Sequence, residues 1–283
     1  MDVFILSELF YRKPANCFEE ALPLGNGRLG GMHYAGVVSD KISLNEDTLW
    51  SGYPNDKSAP NPLEAVKKAK VLIANGEISK AEYEIMENCL GEWTESYQPA
   101  GNLLVSRVGD IRYEHYERIL DLKTAISSFS YTSEFGKEHR EVFVSGKDKV
   151  MIYHFESDNT VSFEILSESP HPAKISAIGD VLLLNSIAPS YVAPIYQHSE
   201  QPIVYDSFGD NRALSFCIGI RLIEVDGSFT VKNDKICITA KKQQRTIMAS
   251  VVGALIIIPT YGGTLILLEI AMMIFLYNTV FGI

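Results

Sequence analysis

The sequence predicts a mainly β protein: an antiparallel β-sandwich with a two-helix insertion near residues 61–91 and an apolar C-terminal tail. Beyond Gly101, apolar and polar residues alternate with period two, as in LSFCIGIRL at 214–222, which is typical of strands with one buried face. Clusters of Gly, Asn, Asp and Ser separate these segments, as hairpin turns would. Short strands joined by turns favour a sandwich over alternating β-α units.

Two helices are predicted in the insertion. Asn61 stands before Pro62 at the first helical position, which is a typical helix start. Apolar residues then recur at helical spacing at Leu63, Val66, Ala69 and Ile73. The stretch Ser79-Lys80-Ala81-Glu82 fits a capping box for the second helix. Its apolar positions are Ile85, Met86, Cys89 and Leu90, ending before Gly91.

We place the sandwich domain at residues 1–240 and an apolar tail at 241–283. Beyond Arg245 the only charged residue is Glu269, and TLILLEIAMMIFLYNTVF approaches the length of about 20 residues that a membrane span needs. Glu269 near its middle weakens that interpretation. Three interpretations of the tail stay open: a membrane tail, a buried strand pair, or sequence that does not belong to the fold. We favour the third, because a shift of reading frame would produce such a change of composition.

The composition excludes several classes of partner. The chain has 283 residues, a formal net charge of -10 and a pI near 5.1. Nucleic acids and anionic membranes bind concentrated Lys and Arg, so neither is expected as a partner of the sandwich. Membrane association would need the tail at 248–281. The N-terminal MDVFILSELFYRKP lacks the basic start and long apolar run of a secretory signal, which favours a cytoplasmic chain.

The cysteines and histidines indicate no metal or redox site. The cysteines lie far apart without a C-x-x-C pair, at Cys17, Cys89, Cys217 and Cys237. We expect reduced, partly buried thiols. The six histidines show no metal-ligand spacing. We therefore expect neither a metal nor a cofactor.

The stretch GNGRLG at 25–30 fits G-x-G-x-x-G, the fingerprint of dinucleotide-binding folds. That fingerprint needs a buried strand before it and a helix after it, whose free N–H groups hold the pyrophosphate. The preceding CFEEALP carries two acids and Pro23, and a β-branched segment broken by glycines follows. Asp47 lies at the distance where the fingerprint places an acid, but no helix fits between. We expect turns and close backbone packing instead.

Together with its neighbours, the same stretch resembles glycoside hydrolase family 95, the α-L-fucosidases. The first blocks are EALPLGNGRLGGMHYAG at 20–36 and ISLNEDTLWSG at 42–52. Three others follow in the family's order: YQP with GNL at 97–103, REVFVS at 140–145, and PSYVAP with HSEQP between 189 and 202. The resemblance covers residues from about 10 to 240.

The resemblance implies an N-terminal β-sandwich of the super-sandwich type, followed in the family by a helical (α/α)6 barrel. The family's catalytic groups, a general acid and an Asn/Asp arrangement that activates water with inversion, belong to that barrel. We therefore assign no catalytic residue and expect the chain alone to be inactive. The implied partners are a fucosylated glycan in the parent enzyme and the missing barrel. The family is often exported.

Two functions stay open. The chain is either the N-terminal part of an α-L-fucosidase or a stand-alone sandwich, which would be a carbohydrate-contacting or interaction module or an inactive gene remnant. Six residues are candidates for contact with substrate or with the barrel: Asn45, Glu46, Asp47, Trp50, His198 and Glu200. Amide, carboxylate and indole groups can hold sugar hydroxyls and stack on a pyranose. The same residues also suit turns and packing, and we favour that structural role.

Overall fold

A computed structural model describes residues 7–59, 61–91, 93–209, 212–225, 227–232, 234–240 and 245–251. Over these ranges the chain forms two antiparallel β-sheets packed face to face, with two helices, as predicted. The strands are β1 (Glu8–Tyr11), β2 (Leu22–Gly25), β3 (Leu29–His33), β4 (Ser39–Glu46), β5 (Gly101–Arg107), β6 (Tyr113–Asp121), β7 (Ile126–Ser133), β8 (Gly136–Val144), β9 (Met151–Ser157), β10 (Val161–Glu168), β11 (Ala173–Ile178), β12 (Val181–Ile187), β13 (Tyr191–Val192), β14 (Ile203–Val204), β15 (Ser215–Val225), β16 (Gly227–Val231), β17 (Ile236–Ala240) and β18 (Arg245–Val251).

The strand order combines hairpins between consecutive strands with pairs of strands that are distant in the chain, such as β9 with β18. In the described ranges, the larger sheet has nine strands in the order β1-β6-β7-β8-β9-β18-β15-β12-β11. The smaller sheet has seven, in the order β16-β17-β10-β5-β4-β3-β2, and β13 pairs with β14 separately. The predicted alternation appears directly in β9, whose residues alternate between buried and half-buried. One face of β9 therefore lines the interior.

The core lies between the two sheets. From the larger sheet it receives Tyr153, Phe155 and Ile218, and from the smaller Leu103 and Phe163, all nearly inaccessible to solvent. The rings of Phe155 and Phe163 meet edge to face with centroids 4.8 Å apart, which joins the sheets at their centre. Burial of this apolar surface is the main stabilising contribution to the fold.

The helices α1 (Pro62–Ala74) and α2 (Ile78–Asn88) occupy the predicted insertion. The first starts after Asn61 as predicted, although the Asn61 side chain makes no capping hydrogen bond. The predicted capping box of the second helix is wrong. The N–H of Ala81 bonds to the carbonyl of Glu77, so the helix begins before Ser79. Ser79 therefore lies within the first turn and not at the N-cap.

The apolar residues of the helical pair are more exposed than their spacing suggests. Leu63, Ile73 and Met86 are each more than half exposed, and the buried positions are the small Ala65 and Ala69 of α1, with Ala81 and Glu84 of α2. The helices are tied to each other by an ion pair between Lys68 and Glu84 at 2.5 Å. Neither is long and apolar enough to cross a bilayer, as holds for every helix in the described ranges.

Strand β18 lies past residue 240, where we placed the end of the sandwich, and it pairs with both β15 and β9. Ser250 faces Met151, the first residue of β9, so β18 runs toward the end of the sandwich that carries the helices. The other residues of the predicted tail, 241–244 and 252–283, lie outside the described residues.

The GNGRLG stretch forms the turn of the β2–β3 hairpin. Gly27 has a φ of +89°, which a side chain rarely adopts, and Asn26 Oδ1 accepts the N–H groups of Arg28 and Leu29 at 3.0 and 2.8 Å. A Cβ on Gly31 would lie 2.5 Å from Met151 Cε. The expectation of turns and close packing is confirmed, because a strand and not a helix follows the glycines.

Candidate functional site

Most of the blocks that carry the family resemblance meet at one end of the sandwich, where β4 ends, β5 begins and β12 ends. We call this region the loop end. Backbone hydrogen bonds connect the blocks there: Asp47 N–H to Arg28 O, Gln98 N–H to Leu49 O and Gly52 N–H to Pro189 O. Segments as distant in the sequence as those of Arg28 and Pro189 thus share one surface. The REVFVS block runs along β8 and reaches this end only at Ser145, whose carbonyl accepts a hydrogen bond from Asn26 Nδ2 at 3.0 Å.

Glu46 closes β4 and holds the turn that follows it. Its side chain is buried, and Arg28 Nε donates to Oε1 at 2.7 Å. The other oxygen accepts the N–H and the hydroxyl of Thr48 at 2.7 and 2.6 Å. Both carboxylate oxygens are therefore engaged by protein groups. The structure places Glu46 as a support beneath the loop-end surface.

Trp50 and Tyr97 form an aromatic pair on that surface. Their rings meet edge to face with centroids 5.2 Å apart, and the two residues share an isolated β-bridge. Trp50 Nε1 donates to the carbonyl of Asp47 at 3.1 Å, and the Tyr97 hydroxyl donates to the carbonyl of Glu46 at 2.8 Å. Partial burial, with the nearby charges of Glu46 and Asp47, raises the pKa of Tyr97. Both rings are fixed, yet Trp50 remains 43 % and Tyr97 42 % exposed.

Asn45 and Asp47 flank the buried Glu46. Asn45 is half-buried on the outer face of β4, opposite Gly30, and within the described ranges its Oδ1 is buried without a hydrogen-bond partner. Asp47 is exposed beside the Trp50 ring that its carbonyl holds. Asp47 therefore places a polar group beside an accessible indole.

His198 and Glu200 lie on a separate loop. The loop is closed by the N–H of Ala193 bonding to Pro202 O at 2.8 Å, and both side chains are exposed. Across the described ranges, no hydrogen bond or ion pair joins either of them to the Trp50 turn. The structure thus brings four of the six candidates together and leaves these two apart, and their roles stay predictions.

A second aromatic pair and a stacked arginine also lie at the loop end, and sequence reasoning missed both. Trp93 meets Tyr196 at 5.3 Å between centroids. Arg212 lies over Tyr53 at 4.3 Å and donates to its hydroxyl at 2.9 Å. Arg212 also bonds to Asp206, which lowers the pKa of that carboxyl. The partners are far apart in sequence, so spacing could not have paired them.

Two polar groups, around Glu95 and around His171, connect the segments that carry these aromatic residues. Glu95 accepts a hydrogen bond from the Ser51 hydroxyl at 2.7 Å and forms an ion pair with Lys57. Gly52, with a φ of +84°, leaves the space that the Glu95 carboxylate fills. On the other side, the buried His171 ring lies between Tyr205 OH and Pro99 O at 2.8 and 2.9 Å, and burial lowers its pKa. These groups serve packing and support.

A different polar cluster lies between the sheets and includes Arg140 of the REVFVS block. We call it the interior network. Arg140 is fully buried and donates to the hydroxyls of Tyr153 and Tyr131 at 3.2 and 3.0 Å. Its guanidinium lies 3.5 Å from Glu138 Oε2, and Glu138 also pairs with Arg107. The guanidinium further stacks over Phe129 and Phe163, at 5.0 and 4.9 Å.

Asp40 and His33 complete the interior network. Both are fully buried, and His33 Nε2 lies 2.9 Å from Asp40 Oδ2, which also accepts the Tyr153 hydroxyl at 2.7 Å. Burial would raise the pKa of Asp40, but the facing His33 and Arg140, with the Tyr153 hydrogen bond, lower it below its ordinary value. Because these groups are sealed from solvent, the network is a structural feature and offers no place for a ligand.

The described residues contain no group of three or more His, Cys, Asp or Glu side chains that could hold a metal ion. The four cysteines are unpaired, and Cys217, Cys237 and Cys89 are partly buried as predicted, while Cys17 is exposed. Burial raises the pKa of the Cys217 thiol to about 12, so it stays protonated near neutral pH.

Comparisons with known proteins agree with the resemblance to α-L-fucosidases. The chain is 27 % identical over 216 residues to alpha-L-fucosidase 2 of Arabidopsis thaliana, covering 74 % of this chain and 26 % of that protein. It is 31 % identical over 188 residues to probable alpha-fucosidase A of Aspergillus niger, covering 62 % and 23 %. The matched region thus spans about a quarter of the length of these curated relatives.

A solved structure described as a putative kojibiose phosphorylase from human microbiome aligns with 86 % of this chain and 31 % of its own, at 10 % identity and a TM-score of 0.43. Residues 9–253 match the family model described as glycosyl hydrolase family 65, N-terminal domain. That match includes both sheets and β18. The chain therefore belongs to the family of glycosyl hydrolase family 65 N-terminal domains.

Proposed function

We propose that this chain provides the N-terminal, non-catalytic domain of an α-L-fucosidase of glycoside hydrolase family 95, an inverting enzyme that releases terminal L-fucose from glycans. The observation that carries the proposal is the identity of 27 % and 31 % with two α-fucosidases over the sandwich region alone. The parent enzyme's catalytic groups would then lie outside residues 9–253, in a helical barrel that the loop end faces.

The titration behaviour of the acidic residues supports a non-catalytic domain. An inverting glycosidase needs a carboxylic acid with a raised pKa and a base about 6.5–9.5 Å from it. Among the described residues, every Asp or Glu with a shifted pKa has it lowered, by hydrogen bonds or by a neighbouring positive charge. At the loop end, Glu46, Glu95 and Asp206 are already held by Arg28, Lys57 and Arg212. The oxygens of these three carboxylates are therefore already occupied by groups of the sandwich.

An assay of fucose release tests the non-catalytic assignment. The full chain is incubated with a fucosyl-α-1,2-galactoside, and free L-fucose is measured over time beside a full-length α-fucosidase as positive control. We expect no release above the rate in buffer. Release that rises in proportion to the concentration of the chain would contradict the proposal.

The gene tests the assignment to a larger enzyme. Reading the DNA past codon 253, where the family match ends, in the other two frames should show a helical barrel sequence with paired acids. A clean stop with nothing beyond would favour the alternative, a stand-alone carbohydrate-contacting or interaction module or a gene remnant.

A further inference from the structure

The chain contains two tryptophans, and both belong to exposed aromatic pairs at the loop end. The pairs have nearly the same geometry, with centroids 5.2 and 5.3 Å apart and interplanar angles of 62° and 70°. They differ in their support. Trp50 and Tyr97 are both hydrogen-bonded to the turn at 46–47, whereas Trp93 is 58 % and Tyr196 71 % exposed.

The turn beneath Trp50 is fixed by a dense set of contacts. Leu49 is fully buried, and its carbonyl accepts the N–H of Gln98 at 2.9 Å. Ser51 N–H bonds to Ser96 O at 2.8 Å, so the bonds on both sides of Trp50 hold the two segments together. A ring held in this way loses little conformational freedom when something stacks on it.

The turn beside the pair is negatively charged, because Asp47 is exposed next to the Trp50 indole that its carbonyl holds. A ligand for this surface must therefore offer an apolar face to the rings and a hydrogen-bond donor to the Asp47 carboxylate. Pyranose sugars have such a C–H face, rimmed by hydroxyl groups. The negative charge of the turn disfavours anions.

We propose that Trp50 and Tyr97, with Asp47 at their edge, bind one pyranose ring of a neutral oligosaccharide. The proposal rests on the proposed function for the expectation that the glycan carries fucose. It adds a sugar-contacting site within the sandwich itself, at the end that the proposed barrel would face. Trp93 and Tyr196, which lack the supporting hydrogen bonds to the Trp50 turn, are not part of this site.

Two single-tryptophan variants of the full chain separate the two pairs. In Trp93→Phe the remaining fluorescence reports on Trp50, and in Trp50→Phe it reports on Trp93. Each variant is titrated with a fucosyl-α-1,2-galactoside and, in parallel, with the galactoside that lacks fucose. We expect a saturable change in the Trp93→Phe protein, with a dissociation constant on the order of 1 mM, and none in Trp50→Phe.

A further substitution tests the partner ring. Tyr97→Ala in the Trp93→Phe background should weaken binding by about three- to tenfold, while Tyr196→Ala in the same background serves as the matched control and should leave it unchanged. Far-ultraviolet circular dichroism establishes that each variant is folded. Saturation-transfer NMR tests sugar binding by the unsubstituted chain, since protons of the bound sugar ring should receive saturation.

Three results would overturn the proposal: no saturation transfer to the sugar in the unsubstituted chain, a fluorescence response confined to Trp93, or binding that Tyr97→Ala leaves unchanged. Equal binding of both galactosides would support the site and locate the contact on galactose rather than fucose. The fucose-release assay measures hydrolysis, whereas this titration measures binding. Each experiment can therefore contradict its own proposal without contradicting the other.

Discussion

The interior network and the loop end both contain residues of the family blocks, yet they use polar and aromatic groups in opposite ways. Between the sheets, Arg140 is fully buried and bonded to Tyr131 and Tyr153. At the loop end, Trp50 and Tyr97 are fixed by their polar atoms while their rings remain accessible. Family resemblance alone therefore does not identify a binding residue. Burial and accessibility distinguish a residue that holds the fold from one that can meet a ligand.

Removal of Arg140 should have the largest effect on stability. Arg140→Met leaves the buried carboxylates of Asp40 and Glu138 without their shared positive neighbour, and we expect the free energy of unfolding to fall by about 3–5 kcal/mol. Urea unfolding followed by circular dichroism measures it. The control is Arg212→Met, which removes a half-exposed arginine at the loop end and should cost less than about 1 kcal/mol. Equal losses in the two variants would refute the distinction between the regions.

Adjacent glycines of the GNGRLG hairpin provide a second contrast. Gly31 faces the core, where an added Cβ would lie 2.5 Å from Met151 Cε and 2.9 Å from Ile42 Cγ2. We expect Gly31→Ala to lower the free energy of unfolding by about 1–3 kcal/mol. At Gly30 the nearest atom to an added Cβ is 3.7 Å away, so Gly30→Ala should change stability little. If Gly30→Ala proved the more damaging, the assignment of the core face would be wrong.

Acid should weaken the interior network by protonating Asp40. The folded pKa of Asp40 lies below its ordinary value of about 3.9, so its contribution is complete above pH 4 and is lost as the pH falls toward the folded pKa. Urea unfolding between pH 5 and 2 should therefore show a steeper loss of stability in the unsubstituted chain than in Asp40→Asn. The exposed Asp56, whose pKa is lowered by hydrogen bonds from Ser58, supplies the control Asp56→Asn. An identical slope in Asp40→Asn and the parent chain would argue against the charged pairing.

The strands could be predicted from the sequence because the alternation of apolar and polar residues is visible within each short segment. Alternation of apolar and polar residues predicts that one face of a strand is buried, and this holds for β9 and β10 without knowledge of their neighbours. The helical spacing of apolar residues also predicted the two helices correctly. That spacing does not determine which part of the protein covers the apolar face of a helix. Leu63 and Ile73 are consequently exposed although they recur at helical spacing.

The interior network was not predicted because its members come together only across the sheets. One signal was present in β8, where Glu138 and Arg140 share the buried face with Val142. Two opposite charges at buried positions of a strand indicate an internal pair. At the loop end, sequence reasoning selected Trp50 but not its partner Tyr97, since the 46 residues between them include both helices.

Amide hydrogen exchange on the full chain, with and without a fucosyl-α-1,2-galactoside, tests the contrast between the two regions most directly. We expect the slowest exchange in β8 and β9 around Arg140 and Tyr153, unchanged by the sugar, and sugar-dependent protection at 45–53 and 93–98. Protection that appears in β8 and β9 but not at the loop end would contradict the account. So would rapid exchange of β8 and β9 in the free chain.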